Sequence, residues 1–138
     1  MVSERLEGWE GRLYALIASA RDQRYVLGEH DCFRLACRVI EALTGVDRWP
    51  EFSGYQTERE ALARLAKFGS SFETAGDWFF GASRIGVKMA RRGDICALTD
   101  DAGQKHLAIL VDHRVACMLP DGLLFIEAAR CHCAWRVG

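Results

Sequence analysis

The sequence predicts an α+β domain in which N-terminal helices pack on a C-terminal antiparallel sheet. Two observations carry this reading. In the first half, apolar residues recur at helical spacing between capping signals; after Gly93 they form short β-like runs separated by turn residues. A third supports it: half of the 138 residues are hydrophobic, enough for a core that needs no disulfide or metal staple.

The elements follow in order. Leu6, Trp9, Leu13, Leu16, Ile17 and Ala20 share one face of a first helix, whose front Gly8 and Gly11 weaken. A second helix runs from Cys32 to Thr44 and is ended by Gly45. A third starts at Thr57, where Thr57 and Glu60 form a capping box; it carries Leu62, Leu65 and Ala66 inward and stops near Gly69. Ser70 and Glu73 cap a short fourth helix through Phe79. Strands are expected at Ile95–Leu98, His106–Val111, Val115–Met118 and Leu123–Glu127, with Trp135-Arg136-Val137 as a final strand. Turns at Asp100–Gly103, Asp112–Arg114 and Pro120–Gly122 separate them. Helices first and then a meander make an α+β arrangement. Residues 1–138 are expected to form a single domain, since no repeat, low-complexity tract or linker interrupts them.

Charge and cysteine usage narrow the function. Eighteen basic and 19 acidic residues give a net charge of −1, without the clustered basic excess of a nucleic-acid binder. No apolar run approaches the ~20 residues that span a bilayer, so no membrane partner is expected. Met1-Val2-Ser3-Glu4-Arg5 lacks the basic and apolar stretches of a signal peptide, which points to synthesis and retention in the cytoplasm. Thiols there stay reduced, and Cys37 and Cys96, inside apolar runs, read as small core residues.

Candidate chemistry concentrates at the start of the second helix. Phe33, Leu35, Ala36, Cys37, Val39, Ile40, Ala42 and Leu43 occupy nearly its whole circumference, and only Arg34, Arg38 and Glu41 make a polar strip. Such a helix is mostly buried. Asp31 is a good N-cap and puts Cys32 in the first turn, where unpaired N–H groups and the helix dipole favour a thiolate. The Cys32 pKa is therefore expected below the ordinary thiol value, and Cys32 to be the most reactive of six thiols.

A thiolate nucleophile needs a base on a rigid mount. His30 lies two residues before Cys32, His113 sits in a tight turn, and His132 stands between two cysteines. His106 begins a strand and shares a face with Ala108 and Leu110, the small Ala108 leaving room for a helix end. Cys32 and His106 are the candidate pair; the plain alternatives are a buried thiol and a strand-edge histidine. Cys131-His132-Cys133, with Cys117 or His113, offers a metal-site alternative. Its cysteines are separated by one residue rather than the two to four of zinc sites, and in a strand both face the same side, as core packing also requires. No metal and no cofactor is expected.

Tyr25-Val26-Leu27-Gly28-Glu29-His30-Asp31-Cys32 resembles the Tyr-x-x-Gly-Gly…Asp-Cys nucleophile segment of the NlpC-type papain-like cysteine peptidases. Arg92-Gly93-Asp94-Ile95 resembles their Gly-Asp turn, and His106-Leu107-Ala108-Ile109-Leu110-Val111 their His-Val-Gly-Ile-Tyr strand. The resemblance runs from Tyr25 to about Met118 and implies a papain-like fold. The whole chain resembles still more a family of short phage and prophage proteins encoded among tail genes. These share Gly-Glu-His-Asp-Cys, Leu-Thr-Gly-Val-Asp and a terminal Ala-Trp-Arg-Val, here Ala134-Trp135-Arg136-Val137.

The resemblance implies Cys32 as nucleophile, His106 as general base and Tyr25 as a holder of the oxyanion, with the Cys32 N–H as second donor. The residue that orients the histidine is expected on the next strand near Cys117 or Met118, neither of which suits the role; Asp94 and Asp112 are the candidate substitutes. Glu29 replaces the second glycine of the family segment, and Phe33 the serine after its Asp-Cys. The implied protein is a phage or prophage tail-associated cysteine hydrolase that cleaves peptide amide bonds of peptidoglycan during cell-wall penetration. Its partners are then tail-tip or hub proteins, and its location the host cytoplasm when made and the tail tip of the virion when assembled. The alternative is a catalytically weak or inactive structural or assembly protein of the tail tip on the same fold.

Overall fold

The computed structural model describes residues 4–81 and 84–138. Helix α1 spans Trp9–Arg21 and turns Leu13, Ile17 and Ala20 inward. Leu6 precedes it, and Gly8 at its N-cap has φ 76° and supplies no side-chain cap. Helix α2, Cys32–Thr44, has the expected span. Asp31 Oδ1 accepts from the Arg34 N–H at 2.8 Å, and Gly45, with φ 81°, donates its N–H to the Glu41 carbonyl at 2.8 Å. Val39 and Leu43 of α2 are wholly shielded from solvent. Burying each side chain contributes about 1.5–3 kcal/mol, so this helix is the axis of the core.

A four-residue helix, α3 (Trp49–Phe52), has Pro50 in its first turn and is too short to show a period in the sequence. Helix α4, Glu58–Ala66, is capped by Thr57, whose hydroxyl accepts from the Glu60 N–H at 3.1 Å. The Glu60 carboxylate accepts from Gln56 N rather than Thr57 N, so the box closes one residue early. None of the residues of α4 is fully buried, and Leu62 is 66 % exposed; Leu62 and Ala66 do not turn inward as expected. Helix α5, Phe72–Phe80, has its capping box at Ser71 and Thr74 instead of Ser70 and Glu73. Glu73 is engaged elsewhere, by Lys105.

Strands β1 (Ile95–Thr99), β2 (Lys105–Leu110), β3 (Arg114–Leu119), β4 (Gly122–Glu127) and β5 (Cys131–Trp135) form a five-stranded sheet in the order β4-β3-β2-β1-β5. Every pairing is antiparallel. The first four strands are a meander, and the last returns to the free side of β1. The final strand lies earlier than the expected Trp135–Val137. Its register shifts at Ala97/Leu98, so that Cys133 pairs with Ala97 and Cys131 with Leu98. Adjacent strand residues face opposite sides, so Cys131 and Cys133 do not share a face as a regular strand would require. Helix α2 packs on β2 and β3, and Cys32 at its start meets the backbone of Leu107 near the start of β2.

Asp94 ties the ends of the chain to this sheet. Its Oδ1 accepts from Arg5 Nη2 at 2.9 Å and from the Val137 N–H at 3.0 Å, and its Oδ2 from the Arg91 N–H at 2.9 Å. Among the described residues no helix is long and apolar enough to cross a membrane.

Candidate active site

The turn before α2 is built around Gly28. Val26 and His30 bridge across it, with Val26 N donating to the His30 carbonyl at 3.1 Å and His30 N to the Val26 carbonyl at 2.7 Å. Gly28 has φ 82°, and a Cβ there would lie 2.2 Å from the Tyr55 carbonyl oxygen; only glycine allows the approach. The Gly28 N–H then donates to Asp31 Oδ2 at 2.8 Å, and the Tyr55 hydroxyl donates to the same oxygen. Asp31, 2 % exposed, therefore holds the turn, the Tyr55 segment and the first turn of α2 together. Its role exceeds the cap read from the sequence. Tyr55 has no local sequence signal, because its partner is 24 residues away.

This arrangement fixes Cys32 as the first residue of α2, 8 % exposed. Burial pushes its thiol pKa up to about 12, against the pull of backbone groups of Leu107, Cys32 and Phe33, while the Asp31 carboxylate adds to the rise. The expected lowering by the helix start is thus corrected. The helix-end donors are present, but the cost of ionising a sulfur out of contact with water exceeds them. The resting group is a neutral thiol lying against the peptide that follows His106.

His106 stands in β2 opposite Leu98 of β1. Its Nε2 is 2.9 Å from Oδ2 of Asp100, in the β1–β2 hairpin. Asp100 is itself fixed, its Oδ1 accepting from Ala102 N and Gln104 N, both at 2.9 Å. Its pKa is held below the usual carboxylate value, first by the hydrogen bond with His106 and then by the Gln104 backbone. An ionised carboxylate only accepts, so in the neutral ring the proton sits on Nε2 and Nδ1 is the basic nitrogen.

The histidine's partner is therefore not where the resemblance puts it. Cys117 is buried and directs its thiol to the Leu107 carbonyl at 3.4 Å, and Met118 is buried and apolar. Asp94 is consumed by Arg5 and the chain ends; Asp112 binds Arg114 in the β2–β3 turn, Nη2 to Oδ2 3.1 Å. Neither substitutes. Asp100 was legible in principle. Leu98 pairs with His106, so two residues on, just past the end of β1, alternation returns the chain to the same side, diagonal to the ring.

Tyr25, Cys32 and His106 line one cleft of about 470 Å³, together with Asp31 and Tyr55. Burial and the nearby Asp31 raise the Tyr25 pKa to about 12, so its hydroxyl stays protonated and able to donate. Among the described residues, His106 is the only histidine lining this cleft. His113 is exposed beside Asp112, and His132 is exposed on β5. No group of three or more His, Cys, Asp or Glu side chains that could hold a metal occurs among the described residues. Cys131 instead accepts a hydrogen bond from the Cys96 thiol, which lowers the Cys131 pKa and raises that of Cys96.

The crystal structure of the NlpC/p60 domain of the peptidoglycan hydrolase SagA is similar, with a TM-score of 0.59 over 93 % of this chain and 98 % of that one, at 16 % identity. At that identity the likeness concerns the fold: an α+β domain of the NlpC/p60 papain-like kind. Comparison with curated proteins finds no match. A family model for a domain of unknown function, DUF6950, matches residues 4–137, and the chain belongs to that family.

Proposed function

We propose that the protein is a cysteine hydrolase acting on peptide amide bonds of peptidoglycan, with Cys32 as nucleophile, His106 as base and acid, Asp100 as the residue that positions His106, and Tyr25 as an oxyanion donor. The observation that carries the reading is the His106–Asp100 hydrogen bond, which leaves Nδ1 basic in the cleft that also holds Cys32. The choice of peptidoglycan is supported by the SagA domain, which shares the fold and is named as part of a peptidoglycan hydrolase.

The chemistry follows from these atoms. His106 Nδ1 takes the thiol proton as the Cys32 sulfur attacks the carbonyl carbon. This base is required because the thiol is neutral at rest. The oxyanion meets the Cys32 N–H and the Tyr25 hydroxyl. The imidazolium, stabilised by Asp100, gives its proton to the leaving amine, and a thioester remains on Cys32. Water, deprotonated by His106, attacks the thioester; acid and thiol are released.

The setting we propose is a phage or prophage tail, in contact with tail-tip proteins, where the tail delivers the enzyme to the wall. The whole-chain resemblance to tail-gene proteins supports it. A second reading, a weak or inactive tail-tip assembly protein, is favoured by one observation: Cys32 is buried, and its thiol is pushed up to about 12. Incubation of wild type, Cys32→Ala and His106→Ala with purified muropeptides, with circular dichroism alongside, separates the two. Cleavage by wild type alone supports the hydrolase. No cleavage by any of three well-folded proteins supports the assembly role.

A further inference from the structure

We infer that the cleft beside Cys32 selects an acyl group carrying a sizeable apolar chain or side chain, an inference that rests on the reading of Cys32 as nucleophile. Helix α4 has no fully buried residue, yet it turns Ala61, Leu62 and Leu65 to the cleft, where Leu27 and Phe33 complete an apolar wall. Leu62 is 66 % exposed. Apolar side chains are thus held around about 470 Å³ of open space, within the range of about 300–1,000 Å³ typical of small-ligand sites.

Beside this wall the cleft is lined by Gln104, Lys105 and His106 of the β1–β2 hairpin, and Lys105 pairs with Glu73 of α5. The leaving amine must reach His106, which protonates it. The acyl part stays bonded to Cys32, inside the cleft that Ala61, Leu62 and Leu65 line. Among the described residues, the charged groups lining the cleft do not offer a free cation for a second carboxylate: Lys105 is paired with Glu73, and Glu58 and Asp31 are acidic.

The test is acylation of the full-length protein by p-nitrophenyl acetate, p-nitrophenyl octanoate and the p-nitrophenyl ester of acetyl-leucine, with the adduct mapped to Cys32. Burial of only two extra methylenes raises the rate constant about tenfold, so at least that preference over acetate is expected. Leu62→Asp, at an exposed position, should shrink the ratio to near unity. Octanoate alone preferred assigns a fatty chain; the leucyl ester alone preferred assigns an apolar side chain. A separate calorimetric titration of Cys32→Ala with octanamide and acetamide reads binding without chemistry. Equal acylation rates, with Cys32 modified, overturn the apolar site and leave the nucleophile standing. Octanamide binding without any adduct on wild type overturns the nucleophile and keeps the site. The absence of both the acylation preference and octanamide binding overturns the inference outright.

Discussion

The Nε2 atom of His106 lies 2.9 Å from Oδ2 of Asp100, so the ring is oriented from its own hairpin and not from the neighbouring strand β3. Asp100→Asn keeps the shape of the side chain but removes the charge that supports an imidazolium. Turnover is expected to fall about ten- to a hundredfold, less than for a buried triad aspartate because water shares the screening. Asp100 is held below the usual carboxylate value, so it stays ionised through neutral and mildly acidic pH and loses the contact only as pH falls through that lowered value. A pH–rate profile in which Asp100→Asn matches wild type throughout would remove Asp100 from the mechanism.

The Asp31–Tyr55 contact makes a stability prediction. Tyr55→Phe removes one donor while Gly28 N and Arg34 N remain, and should cost about 1–2 kcal/mol in urea unfolding. Asp31→Ala leaves those donors without their acceptor and removes the cap of α2, for a loss of about 2–4 kcal/mol. A smaller loss for Asp31→Ala than for Tyr55→Phe would contradict its position at the centre of the turn.

Asp94 should prove more costly than either. Its carboxylate and the Arg5 side chain are both nearly shut off from water. Asp94→Ala strands the guanidinium together with the N–H groups of Val137 and Arg91, and a loss of about 3–5 kcal/mol is expected from chemical denaturation. A loss below about 1 kcal/mol would mean that the chain ends are not held by this pair.

Much of this was legible in the sequence where a signal is local. Asp31 and Gly45 bound α2 because cap and stop act on their own neighbours. Alternation after Gly93 reads as strands because both faces follow the same period. The misses involve partners far apart in the chain or departures from the period. Trp49–Phe52 is too short to repeat; the extra residue in β5 moves Cys131 off the face of Cys133; and Ser71 outcompetes Ser70 as a cap, since Thr74 completes its box. Asp100 shows locally only as a turn residue; its contact with His106 depends on the β1–β2 register. The Cys32 pKa departs from its local signal for another reason: a helix start is a local feature, whereas burial by β2 and β3 is not.

Thiol reactivity reports on that burial. With a pKa of about 12, the Cys32 thiolate fraction rises about tenfold per pH unit between pH ~7 and ~11. Cys131 is shifted the other way by its hydrogen bond from Cys96. Iodoacetamide mapping of the folded protein should therefore find Cys131 ahead of Cys32 near neutral pH, reversing the expectation that Cys32 reacts first. Between the ordinary thiol value of about 8.5 and about 12, the unfolded chain ionises at Cys32 while the folded one does not, so stability falls as pH rises; Cys32→Ala should flatten that slope. Cys32 labelling that is fast and independent of pH near neutrality would instead show a thiolate already held by His106.

Acid quench during turnover on muropeptides, followed by peptide mapping, examines the covalent step itself. The expected result is an acyl mass on the peptide containing Cys32 in wild type, absent from Cys32→Ala and His106→Ala, with product release lost in both variants together because nucleophile and base act as one unit. Product formation by Cys32→Ala at the wild-type rate, with no adduct at any time point, would contradict the assignment of Cys32 as nucleophile.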